Sequence, residues 1–229
     1  MTRREILNLL PDPLFRWVTG LKRDVLFFWV PKCAGTSVYR TLLKHGCPAE
    51  LWLDPTRRFA NRGISTFGHV SIPKLVEAQV IKRRYLENAF KFGFVRNPFD
   101  RVVSLYFYLQ KTNCLEVPET MSFAAFCRQI DRQEFPPVGL YNRLGLNQCN
   151  PMVDWLLDQD GRMLVDFVGR HETVAGDFEK ICRVIGIQAQ IPHENKTAHR
   201  PYREYYATEA RAIVERVYRQ DLDTFGYGF

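Results

Sequence analysis

The chain has 229 residues, 46% of them apolar and 25% charged. That is the balance of a soluble globular protein with a real core, and it excludes a disordered or fibrous chain. Lys and Arg outnumber Asp and Glu by 32 to 25, a net charge of +7. The excess favours anionic partners, although a solvated basic surface gives the same number.

The six cysteines, Cys33, Cys47, Cys114, Cys127, Cys149 and Cys182, form no CxxC pair and no Cys/His cluster at zinc spacing. They read as reduced thiols, with Cys127 and Cys182 as small core residues. No run approaches the ~18 apolar residues of a membrane span. The opening MTRREILNLLPDPLF makes a poor signal peptide, because Pro11 and Pro13 end its short apolar stretch. These features lead to the expectation of a cytoplasmic protein; a Golgi lumenal location applies only to a chain cut from a longer precursor. Without repeats or a Gly/Ser linker, residues 1–229 are expected to form a single domain, with 1–24 as an N-terminal extension.

In chain order, 25–30 is a continuous apolar run, suited to a strand buried on both faces. Pro31 ends it. A turn, Lys32-Cys-Ala-Gly-Thr-Ser37, leads into a helix with Val38, Tyr39, Leu42 and Leu43 on one face and Gly46 as its stop. A second buried strand at 89–95 leads to Asn97 and Pro98, an N-cap followed by the residue favoured at the first helical position. The helix after them carries Phe99, Val102, Val103 and Tyr106 at core spacing. Ser122 caps a helix with Phe123, Phe126, Cys127 and Ile130 inward. A third strand is expected at 163–168, a helix at 177–185 stopped by Gly186, and a last amphipathic helix at 208–221. The most loop-like stretches are 113–120, 134–139 and 147–151. Strands alternating with helices predict an α/β fold, a mostly parallel β-sheet with helices on both faces. Ligands of such folds bind at the carboxyl ends of the strands, where both turns, after Val30 and after Val95, stand.

In the first turn the helix opens on Gly35, Thr36 and Ser37, whose N–H groups have no partner within the helix. With the positive helix end they favour a phosphate or sulfate. Gly35 permits close backbone approach, Lys32 adds a charge, and Thr36 and Ser37 add hydroxyls. An ordinary strand-to-helix turn with a surface lysine has the same local pattern. The order differs from GxxxxGK[ST], in which Lys directly precedes the hydroxyl residue; here Lys32 precedes Gly35. Pro-Lys-Cys-Ala-Gly-Thr-Ser37 resembles the 5′-phosphosulfate loop of sulfotransferases that use 3′-phosphoadenosine 5′-phosphosulfate (PAPS), especially their carbohydrate branch.

At the second turn Arg96 ends the strand and Ser104 lies on the helix face shared by 97, 101 and 108, away from the core stripe. The two can meet at one anion, the guanidinium as a planar fork and the hydroxyl as a neutral donor. Pairing of Arg96 with Asp100 is the structural alternative. Arg-Asn-Pro-Phe-Asp-Arg-Val-Val-Ser104 resembles the same family's 3′-phosphate motif. That resemblance implies a P-loop-type sheet and makes Arg96 and Ser104 ligands of the PAPS 3′-phosphate, with Asp100 and Arg101 structural.

His69, in Phe67-Gly-His-Val-Ser71, falls between the two motifs. The segment resembles the one supplying the catalytic base in heparan-sulfate and related uronyl 2-O-sulfotransferases. A sugar hydroxyl is a poor nucleophile, and neutral imidazole can take its proton. Val168-Gly-Arg-His-Glu172 resembles a structural segment of the family. Asn195-Lys-Thr197 resembles its closing loop, which implies that Lys196 and Thr197 cover the nucleotide. The acceptor site is expected to draw on the middle segment with Tyr141, Asn142, Arg143 and Gln148.

Together these readings imply a PAPS-dependent O-sulfotransferase. Lys32, Gly35, Thr36 and Ser37 hold the phosphosulfate, His69 acts as base and Lys32 as charge neutraliser in an in-line displacement that needs no metal. The acceptor is a carbohydrate or glycolipid, acidic if the uronyl likeness holds, and no nucleic acid partner is expected. Two alternatives stand beside this reading. A P-loop kinase or NTPase needs a magnesium-binding acid, for which Asp166 is the candidate. A non-catalytic binder of anionic glycan or nucleic acid needs clustered basic residues, and Arg57-Arg58 and Lys82-Arg83-Arg84 are short clusters that also suit an acidic acceptor. The oligomeric state is not legible.

Overall fold

The computed structural model describes residues 6–7, 9–48, 60–112, 117–135, 146–191 and 200–229. Its centre is a sheet of four parallel strands in the order β2-β1-β3-β4, with helices around it. The strands are β1 (Val25–Phe28), β2 (Ile64–Thr66), β3 (Phe90–Val95) and β4 (Phe167–Arg170).

Strands β1 and β3 read as unbroken apolar runs because both faces of each are covered. Phe27, Phe28, Phe92 and Phe94 are at most 2% exposed, and each such burial contributes roughly 1.5–3 kcal/mol. The ring of Phe27 stacks on that of Phe92 at 5.0 Å, across the Phe27–Phe92 register pair.

Helix α1 (Asp12–Thr19) precedes β1 and buries Phe15. After β1 comes α2 (Gly35–Lys44), which buries Val38, Tyr39 and Leu42 as its sequence predicts. The short helices α3 (Ile72–Glu77) and α4 (Arg83–Asn88) return the chain to β3. Helix α5 (Pro98–Thr112) starts where expected, and Asn97 Oδ1 accepts from Phe99 N at 3.0 Å. Helix α6 (Phe123–Asp131) is capped by Ser122, whose Oγ accepts from Ala125 N at 3.2 Å. Helices α7 (Val153–Leu156) and α8 (Val174–Ile185) flank β4, and α8 ends on Gly186 with φ +85°.

Three elements differ from expectation. The first strand stops at Phe28, because Trp29 and Val30 leave the ladder and Val30 N turns back to Phe28 O at 3.2 Å. The third apolar run enters the sheet late. Met163 makes an isolated antiparallel bridge to Leu157, Leu164 N bonds Leu156 O, and the ladder with β3 begins at Phe167. The last amphipathic stretch breaks at Tyr218 into α9 (Thr208–Val217) and α10 (Arg219–Phe225). At the break the buried Tyr218 hydroxyl donates to Cys149 O at 2.6 Å, and the buried Asp221 turns toward α7. Strand β2 was not legible in the sequence. Its three residues are too few to show a period, and its place beside β1 is a tertiary fact.

Cys33, Cys47, Cys127, Cys149 and Cys182 are all free and buried, and Cys114 lies outside the described residues. Among the described residues no helix is long and apolar enough to cross a membrane.

Candidate active site

The strand order places the site. The chain passes from β1 to β2 on one side, then to β3 on the other side of β1. The reversal opens a crevice at the carboxyl ends of β1 and β3, where open parallel sheets bind ligands. Lys32 follows β1 and Arg96 follows β3, so strand pairing brings the two sequence motifs side by side.

The loop after β1 is held in an uncommon conformation. Lys32 and Ala34 have φ +63° and +64°, left-handed values that β-carbon residues rarely adopt. Ala34 is followed at once by helical Gly35, and left- and right-handed residues in succession gather N–H groups into an anion-binding nest. No side chain of the described residues caps α2. Thr36 stands exposed at its start and Ser37 is buried beneath. Gly35 is required for a reason beyond approach to an anion: a Cβ there would run into the indole of Trp29.

The loop carbonyls are pinned by buried arginines. Arg101, fully buried, donates through Nε to Pro31 O at 3.1 Å, through Nη1 to Asn150 O at 2.9 Å and through Nη2 to Gln148 O at 2.9 Å. All three of its donor groups are committed to backbone, so its role is structural. Asp221, also fully buried, accepts from Met152 N at 2.8 Å and Val153 N at 2.9 Å. Burial raises its carboxyl to about 6, against the lowering effect of Arg101. Gln148, expected near the acceptor, serves here through its carbonyl. Tyr141, Asn142, Arg143, Lys196 and Thr197 lie outside the described residues.

Arg96 makes the pair with Asp100 that the sequence left open. Its Nε and Nη2 both reach Asp100 Oδ2 at 2.8 Å, and its Nη1 donates to Lys32 O at 3.3 Å. The arginine is therefore fixed at the end of β3 and tied to the other loop. Ser104, 1% exposed, has an Oγ without a hydrogen-bond partner among the described residues. A buried hydroxyl left unsatisfied is costly, and such an atom in a native fold calls for a ligand or water.

His69 lies beyond β2, and its Nδ1 is 2.7 Å from Trp29 O. Its ring meets the Trp29 indole edge-on at 5.3 Å, and its own carbonyl accepts from Trp155 Nε1 at 3.2 Å. Burial lowers its pKa to about 4, with Arg101 and Lys32 pushing the same way, so the ring is neutral at physiological pH. A neutral ring donating Nδ1–H to Trp29 O carries its lone pair on Nε2.

Burial and the neighbouring Arg96 lower Lys32 to about 8. Its Nζ lies 4.2 Å from the centroid of the Tyr108 ring. The sequence placed residue 108 only on the helix face of Ser104, and His171 only in a segment read as structural. His171 is lowered to about 4, first by burial and then by Arg96. Tyr108 is one turn beyond Ser104 on α5, a spacing that pointed to it. The approach of His171 rests on the β3–β4 pairing, which no local pattern announced. Glu172, next to it, accepts from Asn97 N and the Tyr227 hydroxyl, both at 2.9 Å, and so braces the start of α5.

The features expected of the rival readings lie elsewhere. Asp166 pairs with Lys91, its Oδ2 3.1 Å from Nζ, ahead of β4 at the amino end of the strands. Lys82 N is bonded to Asn61, upstream of β2, so Lys82-Arg83-Arg84 also stands away from the crevice. Arg57-Arg58 lie outside the described residues.

The fold is that of a sulfotransferase. Residues 18–228 match the sulfotransferase family, and the chain belongs to it as an enzyme of sulfuryl transfer. It is 22% identical to rat carbohydrate sulfotransferase 11 and 21% identical to the mouse protein. Each match spans 98% of this chain and 70% of the relative. Among solved structures, mouse sulfotransferase SULT7A1 complexed with PAP shares the fold, with a TM-score of 0.55 and 12% identity over 88% of this chain and 85% of that one.

Proposed function

We propose that the protein transfers the sulfuryl group of PAPS to a hydroxyl of a carbohydrate. The carrying observation is the tie between the two loops at the carboxyl ends of β1 and β3, where Arg96 Nη1 donates to Lys32 O at 3.3 Å just ahead of the start of α2. The residues fit a donor with two anionic ends. The orphaned Ser104 Oγ and the Arg96 guanidinium suit a phosphate at one end. The left-handed Ala34, the uncapped start of α2 and Lys32 suit the phosphosulfate at the other. The donor supplies the sulfuryl group and a stable bisphosphate leaving group.

In this reading the Gly35 and Thr36 N–H groups and the Thr36 and Ser37 hydroxyls serve the phosphosulfate, while Ser37 N–H, expected as a donor, is already given to Ala34 O at 3.1 Å. Lys32 sets its charge against the phosphate oxygen that gains charge as sulfur departs. His69 takes the acceptor proton at Nε2 while Trp29 O keeps its ring oriented. Positioning and charge do most of the work, as in phosphoryl transfer. The carbohydrate acceptor is supported by the named relatives, carbohydrate sulfotransferase 11 of rat and mouse. The PAP bound to SULT7A1 supports the donor. We include Lys196 and Thr197 as a cover for the nucleotide on the sequence resemblance alone.

Calorimetric titration with 3′,5′-adenosine bisphosphate tests the reading, with ADP and magnesium as control. Tight binding of the bisphosphate and weak binding of ADP is the expected result. The reverse preference would assign the crevice to an ordinary nucleotide.

A further inference from the structure

Lys32 carries its charge on a flexible stem in the loop after β1. Its flexible stem leaves a strained, left-handed backbone, and a free lysine in that position would sample many rotamers. Yet its Nζ sits 4.2 Å from the Tyr108 centroid, within the range at which a ring face attracts a cation. Tyr108 belongs to the same α5 face as Arg101, which pins the carbonyl just before Lys32, and Ser104, whose Oγ is orphaned. One helix face thus fixes the backbone of the loop at Arg101 and its charged tip at Tyr108.

We propose that Tyr108 is a positioning residue whose ring face holds the Lys32 ammonium beside the start of α2 and favours its charged form. The proposal rests on the reading of Lys32 as a donor ligand for its bearing on catalysis, and on the ring contact alone for its physics. The ionisable groups around Lys32 explain why such support matters. Arg96, itself paired with Asp100, repels the ammonium, and burial works in the same direction. Cys33 works the other way, but its own thiol is held protonated by burial. His69 and His171 both feel the charge of Lys32 and are themselves neutral. With its pKa lowered to about 8, Lys32 keeps an uncharged fraction at neutral pH, so the ring's attraction for the cation shifts a live equilibrium.

The test is an NMR titration of protein labelled at lysine, with the Lys32 signals assigned through Lys32→Arg. In the wild type the ε-methylene protons of Lys32 should be shifted upfield by the ring current. Tyr108→Phe should keep both the shift and the titration. Tyr108→Leu should abolish the shift and lower the Lys32 pKa by about one unit. A Leu variant that is folded by circular dichroism and titrates as wild type would overturn the proposal. So would the absence of an upfield shift in the wild type, a result independent of any variant. Bisphosphate calorimetry on the same wild-type sample judges the donor reading separately. Loss of that reading leaves the Lys32 titration to decide the role of Tyr108.

Discussion

His69 Nδ1 lies 2.7 Å from the carbonyl oxygen of Trp29. The contact joins the residue just past β1 to the third residue past β2, so the orientation of the ring is set against the end of the neighbouring strand. It also selects the tautomer that leaves Nε2 basic. His69→Ala should therefore lower turnover by a factor of about 10²–10⁴, the usual worth of a general base. Bisphosphate affinity should stay near wild type. Parallel loss of turnover and affinity would remove His69 as the base.

The pH dependence of kcat/KM should have widely separated limbs. His69 becomes protonated only near pH 4, so no acid limb is expected between pH 5 and 7. Lys32 loses its proton near pH 8, and activity should fall above that value. In Lys32→Arg the alkaline limb should leave the measurable range, at a lower plateau. An alkaline limb that persists in the arginine variant would assign it to another group.

Ser104→Ala separates fold from ligand. The Oγ is buried without a partner among the described residues, so its removal should leave thermal stability equal or slightly raised. Bisphosphate binding should weaken by about 1 kcal/mol, roughly fivefold. Arg96→Ala should weaken it more, by ~1.5–3 kcal/mol for a charge-assisted contact. Calorimetry on the two variants checks both values, and unchanged affinity in either would exclude that residue as a ligand.

Arg101→Met should be the most damaging change at the site. It removes donors from three buried carbonyls and leaves Asp221 without the nearby cation. Breaking buried charged contacts of this kind costs about 3–5 kcal/mol, measurable by urea unfolding. Asp221 should also leave a pH signature. Its folded pKa of about 6 lies above the unfolded value, so between about pH 4 and 6 the native state binds more protons than the unfolded state. The contribution of Asp221 to stability therefore declines as pH rises through that window. The stability difference between wild type and Asp221→Asn should change in the same interval and be flat above it.

Much of the architecture was legible because its signals are local. The apolar runs that became β1 and β3, the Asn97-Pro98 start of α5 and the Ser122 cap each depend on a few neighbouring residues. The two turns proposed to hold anions were legible as turns for the same reason, since each is a strand end and the residues after it. What the sequence could not show are relations across the chain. The commitment of Arg101 to Gln148 and Asn150, the hold of Asp221 on α7 and the seat of Lys32 on Tyr108 all join segments far apart in sequence. The displaced third strand has the same origin. Met163 and Phe167 belong to one expected strand, and only the register with Phe92 decides which of them enters the sheet. For Gly35 the sequence showed the requirement but not its second cause, the indole packed against it.

The buried thiols turn the protein into its own stability gauge. Burial raises Cys33, Cys127 and Cys149 to about 12 and Cys182 to about 11, so these four thiols offer an alkylating reagent almost no thiolate in the native fold. Each becomes reactive only when its surroundings open. Cys33 sits in the loop after β1, Cys127 in α6 and Cys182 in α8, three separate parts of the fold. In a background lacking Cys114, brief alkylation read out by peptide mass would time the opening of each part separately. Protection of Cys33 alone by a bound nucleotide would then report donor binding at its own loop, without a label and without turnover.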